Sequence, residues 1–351
     1  ECAAGAAADL ELELRAAGAE TSAGAGGTRT AATAGAWLRS LALGQVISAL
    51  ITGTGVFSTR LANGGVDLPI VQSSLNYVLL CGFLLRALPR ARRRGSLAVP
   101  WWRYALWALC DVEGNYLVVS AYQLTSITSV SLLDCFAIPC AMVFSRLLLG
   151  SRHALVHVVA CLVCLAGLAL TVLSDAVGRG GAGAAPRGPA WLGDAMVITG
   201  ATLYGLSNVL QEGLLKGGTS RPEALGMLGL FGTAVCAVQA AALEGDALLQ
   251  TTWHAGRVLD LVGFQLCLFG MYVLTSIFLG MADATVFNMS LLTSDFYGVA
   301  FAWLVQGQRP TWLYAAAFAT TMSGLVLYYS KPVGLADASP GSPANSDRGG
   351  G

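Results

Sequence analysis

The sequence predicts an all-α membrane protein whose ten transmembrane helices form two inverted five-helix repeats. Three observations lead there. The apolar residues arrive in ten runs of about 20, the length of helix that spans a hydrocarbon core of roughly 30 Å. The basic residues fall mostly in alternate connections. Matching residues in the two halves keep a nearly constant spacing.

Composition sets the class. Hydrophobic residues make up 55% of the 351, charged residues only 11%, and the mean hydropathy is +0.64. Soluble domains carry about 25% charged residues, so a membrane is the solvent this chain suits. The formal net charge of zero says nothing about partners, whereas the distribution of charge does, and no nucleic-acid partner is expected. The bilayer and a small-molecule substrate are the expected partners, and the reading leaves room for a homodimer.

Residues 1–36 are Ala/Gly-rich without periodicity and read as a disordered N-terminal tail. The first residue is Glu1 rather than Met, which suggests a truncated N-terminus, and no basic region followed by a short apolar core marks a signal peptide. The apolar segments follow at about 37–58, 70–88, 102–122, 126–149 and 154–174, then 191–211, 224–243, 258–280, 284–306 and 310–330. The longest connection, 175–190, is a Gly/Pro linker that splits them five and five, giving repeats over 37–174 and 191–331. Residues 332–351 read as a second tail.

Charge tests the count. With the N-terminus inside, 15 of the 20 basic residues lie on the inside, among them Arg86, Arg90, Arg92, Arg93, Arg94 and Arg103. Only Arg60, Arg179, Arg187, Arg257 and Arg309 lie opposite. A missed or extra helix would scramble this alternation, so both termini are expected in the cytoplasm. Internal spacing adds the inversion. Leu43-Gly44-Gln45 and Leu192-Gly193-Asp194 are 149 residues apart, Cys110 and Cys267 157, Tyr116 and Tyr272 156, and Gly167 and Gly324 157. An odd number of spans per half turns the second half upside down, the architecture that lets one central site face either side in turn.

The string "ALWALCDVEGNYLVVSAYQLTSITSVSLLDC" at 105–135 resembles the F subfamily of the solute carrier 35 family, within the drug/metabolite transporter superfamily. So do "LALGQVISALITGT" from Leu41, "GATLYGLSNV" from Gly200 and "LGMLGLFGT" from Leu225, and the likeness covers roughly 37–331. The resemblance implies ten helices in two EamA-like inverted repeats, and transport without ATP, redox chemistry or any cofactor. It also implies a nucleoside, modified purine base or cationic aromatic molecule as solute. Gln211-Glu212 stands where the family pattern has two acids, and Ser120 where it has an Arg.

A carboxylate deep in a bilayer costs about 2.5–3.5 kcal/mol even on a lenient insertion scale, so each deep acid needs a reason. Asp111, Glu113, Asp134 and Asp295 are the deep acids. Asp111 and Asn115 share one helix face, Glu113 and Tyr116 another, and at most one of the two acids is expected to face a central cavity. Asn288 and Asp295 form a stripe in the ninth segment. Tyr204, Asn208, Gln211 and Glu212 form another in the sixth, the last two close enough to its end that reaching water is the plain alternative. The expected substrate-binding or coupling set is therefore Asp111, Glu113, Asn115, Tyr116, Asp134, Tyr204, Asn208, Asn288 and Asp295. Structural hydrogen bonding between helices is the competing role for each.

Other chemistry is poorly supplied. Eight of the nine cysteines, including the pair Cys161 and Cys164, lie in apolar runs as small hydrophobes. His153, His157 and His254 lack metal-ligand spacing. No Ser-Lys dyad, G-x-S-x-G or His/Glu metal pair points to an enzyme. Trp101, Trp102, Trp191, Trp253 and Trp312 sit at segment ends, as interfacial aromatics do. No Lys or Arg lies mid-span, whereas a dry pocket for a nucleotide sugar needs a cationic partner for its phosphates. A secondary carrier working by alternating access is the expected function. A Golgi nucleotide-sugar antiporter and a non-transporting receptor or scaffold are the alternatives. The plasma membrane and the Golgi are both open as its place.

Overall fold

Helices account for nearly all the described residues, as the apolar runs predict. The computed structural model describes residues 26–66, 68–121, 124, 133–179, 189–294, 296–297, 312–331 and 334–335. The helices are α1 (Gly26–Asn63), α2 (Pro69–Cys81), α3 (Leu84–Arg94), α4 (Trp101–Ala121), α5 (Ala137–Leu148), α6 (Leu155–Arg179) and α7 (Ala190–Lys216). They continue as α8 (Arg221–Leu243), α9 (Gly245–Gln250), α10 (Ala255–Met281), α11 (Ala284–Leu291) and α12 (Trp312–Tyr329). Residues up to Leu43 form one unit, represented by the beginning of α1, and the bundle described below belongs to the unit from Gly44 onward.

Among the described residues, three stretches are long and apolar enough to cross a membrane: Leu38–Ser58 of α1, and all of α8 and α10. A fourth crossing results if α2 and α3, bent by 46° at Gly82-Phe83, count as one broken span. The chain is thus an all-α membrane protein. Helices α4 and α7 have the length but carry Asp111 and Glu113, and Asn208, Gln211 and Glu212, which lower their apolar character. Helices α5 and α12 are shorter apolar elements. All five tryptophans expected at the interfaces are exposed.

Close helix contacts pass through glycines, as small residues permit in membrane bundles. Between α6 and α12, a Cβ added at Gly167 would stand 2.3 Å from Thr321 Oγ1, and one at Gly324 would stand 2.4 Å from Cys164 Sγ. Cys164 also donates to the Thr321 carbonyl at 3.4 Å. These contacts are reciprocal, because Gly167 and Gly324 are 157 residues apart, and so are Cys164 and Thr321. Gly114 of α4 lies against Gly200 of α7, while Gly270 of α10, 156 positions after Gly114, lies against Leu50 of α1. Helix α8 presses Gly226, Gly229 and Gly232 onto the α2–α3 strand of chain, with Gly232 leaving room for the Tyr77 ring. The main core gathers here, around Tyr77, Leu80, Tyr104, Trp107, Leu225 and Leu228.

Carboxylates tie the ends of the bundle. Glu244, just after α8, accepts the backbone N–H of Ile70 and Val71 with its two oxygens, each at 2.8 Å, and so caps the first turn of α2. Arg60 and Asp260 pair at 2.9 Å near the same end. At the other end Glu223 accepts Ala98 N–H at 2.6 Å and Tyr104 O–H at 2.9 Å, with Arg94 at 3.7 Å. There, too, residues Ser151–Arg152 and Gly334–Leu335 form a two-residue antiparallel ladder. His157, wholly buried, accepts Ala154 N–H on Nδ1, so its Nε2 carries the proton donated to the Lys331 carbonyl at 2.9 Å.

Candidate functional site

A polar junction lies inside the bundle. Asp111 sits mid-way along α4, 8% exposed. Tyr77 of α2 and Tyr272 of α10 each donate a phenolic O–H to its Oδ2 at 2.7 Å. Ser207 of α7 donates to Oδ1 at 3.0 Å and itself accepts the indole N–H of Trp107 at 3.1 Å. Trp107 and Asp111 are four apart on α4, so one face of that helix supplies both ends of the chain of bonds. The two tyrosine rings meet edge to face, centroids 5.9 Å apart. Four helices thus converge on one carboxylate, and its three donors are all neutral hydroxyls. No Lys or Arg pairs with it among the described residues.

Glu113, two residues on, points elsewhere. Gln239 of α8 donates to its Oε1 at 2.7 Å. Beside this pair, Asn115, Tyr116, Tyr77, Ile70 and Gln239 line a cavity of about 20 Å³ between α2, α4 and α8. That is room for a water molecule and no more. Of the two acids, Asp111 enters the junction and Glu113 does not. Asn115, expected on the face of Asp111, lines the neighbouring cavity, to which Tyr77 also contributes.

A second polar group lies where α7 meets α11. Asn208 donates to Asn288 at 3.1 Å, and Asn288 donates to the Ala284 carbonyl at 2.7 Å. Glu212 accepts Ala284 N–H at 2.7 Å and pairs with Lys216 at 2.6 Å. Asp283 accepts Val286 N–H at 3.0 Å and Tyr328 O–H at 3.2 Å. Gln211 and Glu212 therefore do not run out into water; both are buried, because α11 packs its first turn over them. Of the remaining predicted residues, Tyr204 packs against Gly114, Asp134 is half-buried at the turn entering α5, and Asp295 lies outside the described residues.

Sequence reasoning missed Tyr77, Tyr272, Trp107 and Ser207 as members of the junction. Ser207 was within reach, being three residues from Tyr204 and four from Gln211 on the same stripe. Tyr77 gave no signal, since a lone Tyr in an apolar run reads as core. The described cysteines are free thiols, and Cys161 packs its sulfur on Met289 at 3.7 Å, as a small hydrophobe does. No three potential ligands gather into a metal site among the described residues.

Comparison with known proteins agrees with the membrane fold. The profile of solute carrier family 35 (SLC35F) matches residues 34–330. Solute carrier family 35 member F2 of Mus musculus is 38% identical over 302 residues, 84% of this chain and 79% of that protein. Its Xenopus tropicalis counterpart is 37% identical over 302 residues, 84% of this chain and 76% of that protein. A crystal structure at 17% identity superposes with a TM-score of 0.65, covering 82% of this chain and 96% of the other, which is a likeness of fold. The chain belongs to solute carrier family 35, within its F group and similar to member F2, and is accordingly a membrane solute transporter rather than an enzyme.

Proposed function

We propose that the chain carries a neutral or cationic aromatic solute, of the nucleoside or purine-base class, by alternating access between two inverted five-helix repeats at 37–174 and 191–331. The observation that carries the substrate class is the Asp111 junction. It is a buried carboxylate served by three hydroxyl donors and no cation. A proton or a positively charged group neutralises such a site, and a phosphate would be repelled by it. Tyr77, Tyr272 and Tyr116 supply ring faces nearby, on which a flat base or cation stacks. The reciprocal glycine contacts support the repeat: Gly167 with Thr321 and Gly324 with Cys164 relate residues by one offset, as a two-fold axis between α6 and α12 requires.

On this reading the basic connections put both termini in the cytoplasm, in a plasma or Golgi membrane. The end holding Glu223, Glu212, Asp283 and His157 faces the cytoplasm, and the end closed by Glu244 faces away. Glu223, Glu212 and Asp283 latch one end and Glu244 the other, and on this reading transport requires these latches to open in turn.

The test is uptake into proteoliposomes of the purified chain. Saturable uptake of a nucleoside, purine base or organic cation is expected, and a nucleotide sugar at equal concentration should not compete. Saturable exchange of a nucleotide sugar would sink the substrate class. No saturable flux of any of these would favour a scaffold.

A further inference from the structure

The arginines that follow the second apolar segment are more than a topology signal. From Pro69 to Leu88 the chain runs 20 residues, about 30 Å at 1.5 Å per residue, which spans the hydrocarbon layer. The second half of α3 therefore emerges at headgroup level. On α3 the side chains are sorted by face. Leu84 packs against Gly226 of α8, and Ala87 is buried. Leu85 and Leu88 are 80% and 55% exposed, on the flank next to the packed face. Arg86, Arg90 and Arg93 recur at i, i+4 and i+7 on the opposite face, all exposed. With Pro89 they border one shallow, open cleft along the helix. The helix then stops at Gly95, whose φ of +80° is a left-handed conformation suited to glycine.

Positive-inside bias asks only that basic residues lie near the span, and does not align three of them along one cleft. Arg94 is answered by Glu223, but Arg86, Arg90 and Arg93 meet no carboxylate among the described residues. Exposed leucines such as Leu85 and Leu88 suit acyl chains, and Trp101 and Trp102, both exposed at the start of α4, are of the type that sits at the interface. Guanidinium groups bind phosphate bidentately, so three in one cleft suit an oxyanion of more than one charge.

We propose that the arginine face of α3 binds a phospholipid headgroup carrying a phosphate monoester, with Arg86, Arg90 and Arg93 gripping the phosphate and the flanking leucines seated among the acyl chains. The site is independent of the transported solute, and its test reads no transport. The full chain, in mixed detergent micelles, is titrated with acyl-chain-labelled phosphatidylinositol 4-phosphate and followed by fluorescence anisotropy. Saturable one-to-one binding is expected. R86Q/R90Q/R93Q should weaken it on the order of 100-fold, from the contribution of each arginine near an anionic surface. R92Q/R146Q/R152Q removes the same charge from the same end of the bundle and should shift affinity by less than about threefold. Matching elution profile and melting temperature without lipid establish that both triple variants are folded. Equal losses in the two variants would overturn the site, since binding would then follow net charge alone. Labelled phosphatidylserine binding as tightly would overturn the monoester preference. Displacement by soluble inositol 1,4-bisphosphate at equimolar concentration would overturn the lipid as occupant.

Discussion

Replacing Asp111 by Asn isolates charge from shape. The carboxylate accepts two phenolic protons on Oδ2 and the Ser207 proton on Oδ1. An asparagine placed with its carbonyl toward the tyrosines keeps both phenolic bonds, and its amide donates to Ser207, whose proton turns elsewhere. Each retained bond falls from the charge-assisted range of about 1.5–3 kcal/mol to the neutral range of about 0.5–1.5 kcal/mol. Two such bonds lose roughly 2–3 kcal/mol, and relief from burying an ionised group offsets much of that. The melting temperature of Asp111→Asn should therefore lie within a few degrees of the parent. Asp111→Ala is different in kind. It removes the acceptor that three buried hydroxyls share; the Tyr77 and Tyr272 hydroxyls, 3.2 Å apart, can then bond to each other, but one phenolic donor is still left unpaired at about 1–3 kcal/mol beside the space the side chain vacates, and the variant should reach the membrane in reduced amount. Detergent melting curves and proteoliposome uptake, run on the same preparations, separate the two effects. The expected pattern for Asn is near-normal abundance and stability with uptake reduced at least tenfold. Normal uptake by Asp111→Asn would refute the role of charge. Instability equal to that of Ala would show that the charge holds the bundle together.

Glu113→Gln keeps an acceptor for Gln239 and should leave stability unchanged, with uptake nearer normal than in Asp111→Asn; the reverse order would move the coupling acid to Glu113. Gly324→Ala puts a Cβ 2.4 Å from Cys164 Sγ and 2.9 Å from the Ala160 carbonyl, so α6 and α12 must separate, at about 1–3 kcal/mol measured as a lowered melting temperature. Burial pushes His153 below its ordinary pKa, with Asp283 opposing and His157 and Arg146 adding to the shift. The folded protein then binds fewer protons there than the unfolded chain, so stability is retained above about pH 6.5 and declines below it. A melting series from pH 7.5 to 5 should show that decline, reduced in His153→Gln. Tags at both termini and near Arg93 should be shielded in intact cells while one in the linker near Gly183 is exposed, and finding Arg93 and the linker on one side would break the five-plus-five division.

Much of this was readable from residues because a membrane imposes a simple code. Apolar runs had to be helices, since no other open element satisfies its backbone in lipid, and a deep acid such as Asp111 had to have donors waiting for it. What sequence could not supply was convergence. Tyr77 and Tyr272 are 195 residues apart, and nothing local distinguishes either from an apolar core tyrosine. The break between α2 and α3 was also hidden, because Gly82 and Phe83 sit in a continuously apolar run. Glu244 looked like a loop acid, and only the fold brings it to the first turn of a helix 174 residues away in the chain.

The acids at helix beginnings have a bearing on selectivity. An α-helix start offers unpaired N–H groups and about half a positive charge, a ready receptor for phosphate or carboxylate. Here two such starts are already filled from within. Glu244 takes the amides of Ile70 and Val71, and Glu212 and Asp283 take those of Ala284 and Val286. An arriving anion would have to evict a resident carboxylate from either, and would meet its negative charge on the way. The electropositive ends of α2 and α11 are thus held by the chain's own side chains, an arrangement that goes with the proposed preference for neutral or cationic solutes.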